Sequence, residues 1–174
     1  MPRTLILGLG NDILTDDAIG LRLAQVLRAS FSHSSDVDVR ETTEMGLALL
    51  DHFAGYVQVW LLDAIQTGQA EPGFLHELDA AGLKQLAGGS PHFLGVGETL
   101  ALGRQLGLEM PRQVGILAVE VEDPFTLGTR MTPALETALP GLAHRIANRI
   151  SGRHAGVRKS APLAHPFKGE PEVE

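Results

Sequence analysis

The stretch Thr4-Leu5-Ile6-Leu7-Gly8-Leu9-Gly10-Asn11-Asp12-Ile13-Leu14-Thr15-Asp16-Asp17-Ala18-Ile19-Gly20 decides the reading of this chain. A short apolar run leads into a glycine-rich turn with carboxylates, and a helical pattern then begins. In a strand–loop–helix unit such a loop lies at the carboxyl end of its strand, where open α/β sheets place their sites. It makes a poor phosphate cradle. A phosphate needs a helix N-terminus whose backbone N–H groups face it without competing negative charge, and Asp16 and Asp17 stand at that end. The third glycine of a G-x-G-x-x-G fingerprint is also missing, since Ile13 takes its place. Two carboxylates beside a helix start suit a metal or a cationic partner.

Working outward, Leu5 to Leu9 is apolar on both faces and reads as a buried strand. From Asp16 on, Ile19, Leu23, Val26 and Leu27 predict an amphipathic helix to about Ala29, with Thr15 or Asp16 available as its cap. Val37–Glu41 alternates and reads as a second strand. A short helix over Met45–Phe53 would present Met45, Leu49 and Phe53 on one face. The most apolar run, Tyr56–Leu62, predicts a central strand ending at Asp63. Gly73–Leu78 reads as a weaker edge strand, and Asp79–Leu86 as a short helix. A glycine-rich loop over 88–95 holds His92, a helical pattern covers Gly97–Leu106, and Val114–Val121 is the last apolar strand. An irregular stretch over Asp123–Met131 precedes Thr132-Pro133, a good helix start. A stripe of Leu135, Leu139, Leu142, Ile146 and Ile150 follows, with Pro140 inside it as an expected kink. Alternating strands and helices predict an α/β fold with a mostly parallel sheet between helical layers. Residues 1–150 read as one domain, and 151–174, without apolar periodicity, as a flexible C-terminal tail.

Composition narrows the function. The 174 residues fit one domain with a substantial core. A net charge of −7 disfavours nucleic acid as a partner. The absence of cysteine excludes disulfides, thiolate zinc sites and a cysteine nucleophile. Neither a signal peptide nor a membrane span is expected, so the expected setting is cytoplasmic, without a membrane partner.

Asp16/Asp17, Asp63 and His92 share one property: each falls in a loop after a strand, or in a connection able to reach the same sheet edge. Singly, each has an ordinary explanation: a charge at a helix start, a turn former, a surface histidine. Together, two carboxylates and an imidazole can bind a divalent transition metal with positions left open. Asp12 and Asp16 are expected to face solvent. Glu120, Glu122 and Asp123 read as a second acidic wall or a solvated turn. The remaining histidines, His76 among them, are scattered. No G-x-S-x-G elbow or H-E-x-x-H helix is present.

Gly8-Leu9-Gly10-Asn11, Asp16-Asp17-Ala18-Ile19-Gly20, Leu62-Asp63-Ala64-Ile65, Ser90-Pro91-His92 and Thr132-Pro133, in this order, resemble the nickel–iron hydrogenase maturation endopeptidases. The resemblance implies a three-layer α/β sandwich with a twisted sheet, of the phosphorylase/hydrolase-like kind. It implies a peptidase that removes a C-terminal extension from the hydrogenase large-subunit precursor after nickel insertion. By the same resemblance Asp17, Asp63 and His92 are the metal-binding residues, and the metal is the nickel of the precursor, not a permanently bound cofactor; other divalent metals can occupy the site. A monomer is expected. The chain departs from the family where many members carry Asp-Gly-Gly-Thr: here Glu41-Thr42-Thr43-Glu44 stands, which bears on the choice of hydrogenase partner. No side chain is identified as nucleophile or general base. Two other readings remain: a Rossmann-like nucleotide-binding module with Glu41 on a ribose, and a noncatalytic nickel-sensing assembly factor.

Overall fold

A computed structural model describes residues 3–79 and 95–152. His92, the helix read beyond Asp79, the glycine-rich stretch up to Leu94 and the tail from Arg153 lie outside the described residues. Five strands form one sheet: β1 (Thr4–Leu9), β2 (Val37–Thr42), β3 (Gln58–Ile65), β4 (Leu75–Asp79) and β5 (Gln113–Glu120). Their order is β2-β1-β3-β5-β4. All neighbours are parallel except β4, which pairs antiparallel with β5 at the edge. The expected α/β sandwich is therefore observed, with β3 at its centre.

Helices cover both faces. On one face α1 (Ile19–Phe31) and α4 (Pro133–Ile150) join Ile6, Trp60, Leu62 and Leu117 in a buried cluster. On the other, α2 (Leu50–Phe53) with the turn before it and α3 (Val96–Gln105) bury Leu49, Phe53, Val96 and Leu100 against Leu7, Leu61 and Ile116. Strands buried on both sides need near-continuous apolar sequence, and within β3 from Val59 to Ile65 the one charged residue is Asp63. No described helix is long and apolar enough to cross a membrane.

Several local expectations are corrected. Val26 faces solvent, and the α1 stripe is Ile19, Leu23 and Leu27 with Ala24. Met45 is exposed, because a 3-10 turn over Gly46–Leu49 precedes α2 and turns it away from Leu49 and Phe53. Asp63 does not end its strand. Ala64 and Ile65 are apolar and pair with Val119 and Glu120, so the ladder carries Asp63 inside β3. As the stripe implies, α4 runs through Pro140: Leu135 before it and Leu142 and Ile146 after it are buried on one face, and that burial outweighs one lost helical hydrogen bond. Thr132 precedes Pro133 as expected, but its hydroxyl does not cap α4; it donates to Asp16.

The start of α1 lies directly on the sheet backbone. A Cβ on Gly20 would stand 2.1 Å from the Leu9 carbonyl oxygen and 2.4 Å from that of Leu62. A Cβ on Gly8 would meet the Gly20 carbonyl oxygen at 2.2 Å, and one on Gly10 the Asp17 carbonyl oxygen at 2.1 Å. The glycines of the opening stretch thus serve backbone-to-backbone packing. Because the obstructing atoms are backbone, they cannot swing aside. Gly20→Ala should therefore cost at least the roughly 1–3 kcal/mol typical of overpacking. The measurement is a denaturant melt, and a midpoint equal to wild type would contradict the close approach.

Candidate functional site

The loop after β1 leads into a 3-10 turn, Asp16–Ala18, which packs against β3. Asp17 is 7% exposed and Asp63 is fully buried. Asp17 follows the end of β1 and Asp63 follows Leu62, the last β3 residue paired with β1, so both belong to the carboxyl edge of these parallel strands, the edge where α/β sheets place their sites. Asp63 shares the face of Leu61 and Ile65, toward α2 and α3; its Oδ1 accepts the Ala64 N–H at 2.8 Å. His92 falls outside the described residues. Gly95, three residues further along, opens α3 beside Gly46, which follows the carboxyl end of β2. Among the described residues no three His, Asp or Glu side chains form a metal-binding group.

Asp16 corrects the expectation most sharply. It is fully buried, not solvent-facing. Its carboxylate accepts the backbone N–H groups of Thr132 at 2.7 Å, Asp123 at 2.9 Å and Glu122 at 3.2 Å, and the Thr132 hydroxyl at 3.1 Å. Four donors satisfy a buried carboxylate and offset its desolvation. Asp16 therefore ties the segment between β5 and α4 to the loop that presents Asp17. Thr15 strengthens the tie, its hydroxyl donating to the Asp123 carbonyl. Asp12 is exposed, as expected.

The acidic cluster at the end of β5 divides into three roles. Glu122 is exposed. Asp123 accepts the N–H groups of Phe125 and Thr126, a turn-forming role. Glu120 is buried, and it accepts from the Thr67 N–H and hydroxyl, each at 2.7 Å, the Gly68 N–H at 2.8 Å and His76 Nε2 at 2.8 Å. Glu120 fixes the loop that follows β3. Ala118 pairs with Asp63 on one side and His76 on the other, so those two residues share one row on one face, with a methyl group between. Nothing in the spacing of His76 announces this pairing, because it depends on β4 joining β5 antiparallel.

An open cleft of about 560 Å³ adjoins the edge, lined in part by Asp12, Arg22, Glu41, Thr42, Thr43 and Glu44. The Glu41–Glu44 stretch therefore faces the loop after β1. Glu41 is ion-paired with Arg28 at 3.4 Å, an engagement unlike that of a ribose-binding carboxylate.

A model of the hydrogenase maturation protease family matches residues 21–149. The chain belongs to that family. It is 31% identical over 152 residues to the hydrogenase 2 maturation protease of Escherichia coli K12, covering 80% of this chain and 90% of that one. It is 30% identical over 178 residues to the hydrogenase expression/formation protein HupD of Thiocapsa roseopersicina, covering 95% and 78%. Among solved structures, the hydrogenase maturating endopeptidase HybD from E. coli superposes with a TM-score of 0.68 at 28% identity, over 86% of this chain and 94% of that one. The protein is thus a peptidase of this family, and its fold is that of the HybD-like structures.

In this protease burial pushes the Glu120 carboxyl up, but the donors from Thr67, His76 and Gly68 outweigh it and hold it below the usual 4.5. A carboxylate lowered on folding contributes stability above its unfolded pKa and loses it as pH falls through the folded one. Glu120→Gln should therefore destabilise the protease most above pH 4.5. The gap to wild type should close as the solution becomes more acidic. Urea melts across that range check the sign, and a gap that widens toward low pH would contradict it.

Proposed function

We propose that this protease removes the C-terminal extension of a nickel–iron hydrogenase large-subunit precursor, and that it recognises the inserted nickel through Asp17, Asp63 and His92. The observation that carries the reading is the placement of Asp17 and Asp63, both nearly withdrawn from water, at one edge of adjacent strands. Buried carboxylates gain most from a cation delivered to them. The nickel belongs to the substrate, so the protease needs only to complete its coordination. Two carboxylates and one imidazole suit a borrowed metal better than a resident structural one, which usually has four protein ligands. Gly95 beside Gly46 supports assigning the third ligand to His92, since the chain enters α3 at the same edge. The protein acts in the cytoplasm as a monomer on this reading. The Glu41–Glu44 stretch, lining the adjoining cleft, is assigned to the choice of hydrogenase partner.

The test is incubation of purified protease with nickel-loaded and nickel-free precursor, read by the mass of the large subunit. Only the loaded precursor should be cut. His92→Ala, Asp17→Asn and Asp63→Asn should each slow cleavage by more than the roughly 10–100-fold that losing a ligand's hydrogen-bond partner costs. Their thermal midpoints should stay close to wild type. Asp17→Glu should be milder, because charge and oxygen donors remain. Equal cleavage of both precursors would refute nickel recognition. Binding of the loaded precursor without cleavage by wild type would favour the sensing factor.

A further inference from the structure

Exposed apolar side chains are ordinary when scattered. Here they gather. Of the ten large exposed apolar residues among those described, six stand at the carboxyl edge of the sheet: Ile13, Met45, Leu47, Phe74, Phe125 and Leu127. Ile13 follows β1, Met45 and Leu47 follow β2, and Phe125 and Leu127 follow β5. Phe74 precedes β4, which runs antiparallel and so begins at that same edge. Leu106 and Leu108, by contrast, precede β5 at the opposite edge.

Three of the six stand on a hydrogen-bonded ribbon. Leu14 forms an antiparallel bridge with Leu127. The Thr15 N–H donates to the Thr126 carbonyl and the Gly128 N–H to the Ile13 carbonyl, each at 3.0 Å. The buried Asp16 carboxylate anchors the base of this two-stranded ribbon. Yet Phe125 and Leu127 remain 75% exposed and Ile13 57%. Their backbone is ordered without their side chains being covered, which lowers the entropy cost of covering them with a partner. The ribbon is continuous with the site: Ile13 lies four residues before Asp17 in the same loop.

We propose that this apolar rim is the docking surface for the polypeptide substrate, with Ile13, Phe125 and Leu127 as its anchors for an apolar segment of the precursor beside the scissile bond. The inference rests on the precursor-processing reading. A metal grip alone would accept any exposed nickel; apolar anchors at the same edge demand a protein surface as well. Exposed apolar side chains gathered at the edge that carries a site are the mark of such a partner, and a few apolar anchors carry most of an interface's affinity.

The test compares wild type, the triple variant Ile13→Ser/Phe125→Ser/Leu127→Ser, and the opposite-edge variant Leu106→Ser/Leu108→Ser. Cleavage kinetics on nickel-loaded precursor are measured with sedimentation of each protease alone. The triple variant should raise KM about tenfold or more while kcat changes less than about twofold. Its thermal midpoint should hold, and the opposite-edge variant should behave as wild type. An unchanged KM, or an equal rise in the opposite-edge variant, would overturn the inference. So would a wild-type dimer that the triple variant converts to monomer with KM unaltered, since a second copy would then be the occupant. If wild type fails to cut the precursor, the processing reading fails, and calorimetry of precursor binding decides docking by itself. Affinity about tenfold weaker in the triple variant supports it; equal affinity overturns it.

Discussion

The structure depends on a backbone contact that no side chain could occupy. Gly20, in the first turn of α1, lies against the carbonyl oxygens of Leu9 and Leu62, and Gly8 and Gly10 complete the approach. Because the helix can come this close, the short loop between β1 and α1 is pressed onto the ends of two strands. That is what carries Asp17 to the edge at which β3 presents Asp63. A bulkier residue at any of the three positions would lift the loop from the sheet and separate the carboxylates. The glycines that look like a nucleotide fingerprint are thus packing residues, and the anion they might have held is replaced by protein carboxylates.

Two adjacent aspartates then take different work. Asp16 turns inward and satisfies three backbone N–H groups and one hydroxyl from the segment joining β5 to α4. Asp17, one residue on, is presented at the sheet edge. A single tight turn therefore builds both the site and the clamp that steadies its rim. Glu120 does the equivalent on the far side, holding the loop after β3 through Thr67 and Gly68. Buried carboxylates with several donors are the recurring means of fixing loops around this edge, at a desolvation cost that good hydrogen bonding offsets.

The centre of the sheet was legible because β1, β3 and β5 are buried on both faces, and continuous apolar runs such as Val59–Leu62 have few other fates. The helix start at Thr132-Pro133 and the stripe from Leu135 to Ile146 were legible for a similar local reason. The family was legible from the order of short motifs. What escaped was whatever depends on long-range contact. Asp16 reads as solvent-facing in the sequence because its partners lie more than a hundred residues away. Asp63 reads as the end of its strand because a carboxylate in a buried strand interior is rare. The link between His76 and Glu120 could not be read before the pairing of β4 with β5 was known. His92, the third residue of the proposed trio, lies outside the described residues.

We propose that this protease touches the metal of its substrate. X-ray absorption at the nickel edge tests it most directly, on precursor with an uncleavable substitution at the scissile position, alone and in complex. The account predicts new oxygen and nitrogen scatterers around nickel in the complex, with the change lost in the Asp17→Asn and Asp63→Asn proteases. A nickel spectrum identical in free precursor and in a demonstrated complex would contradict it.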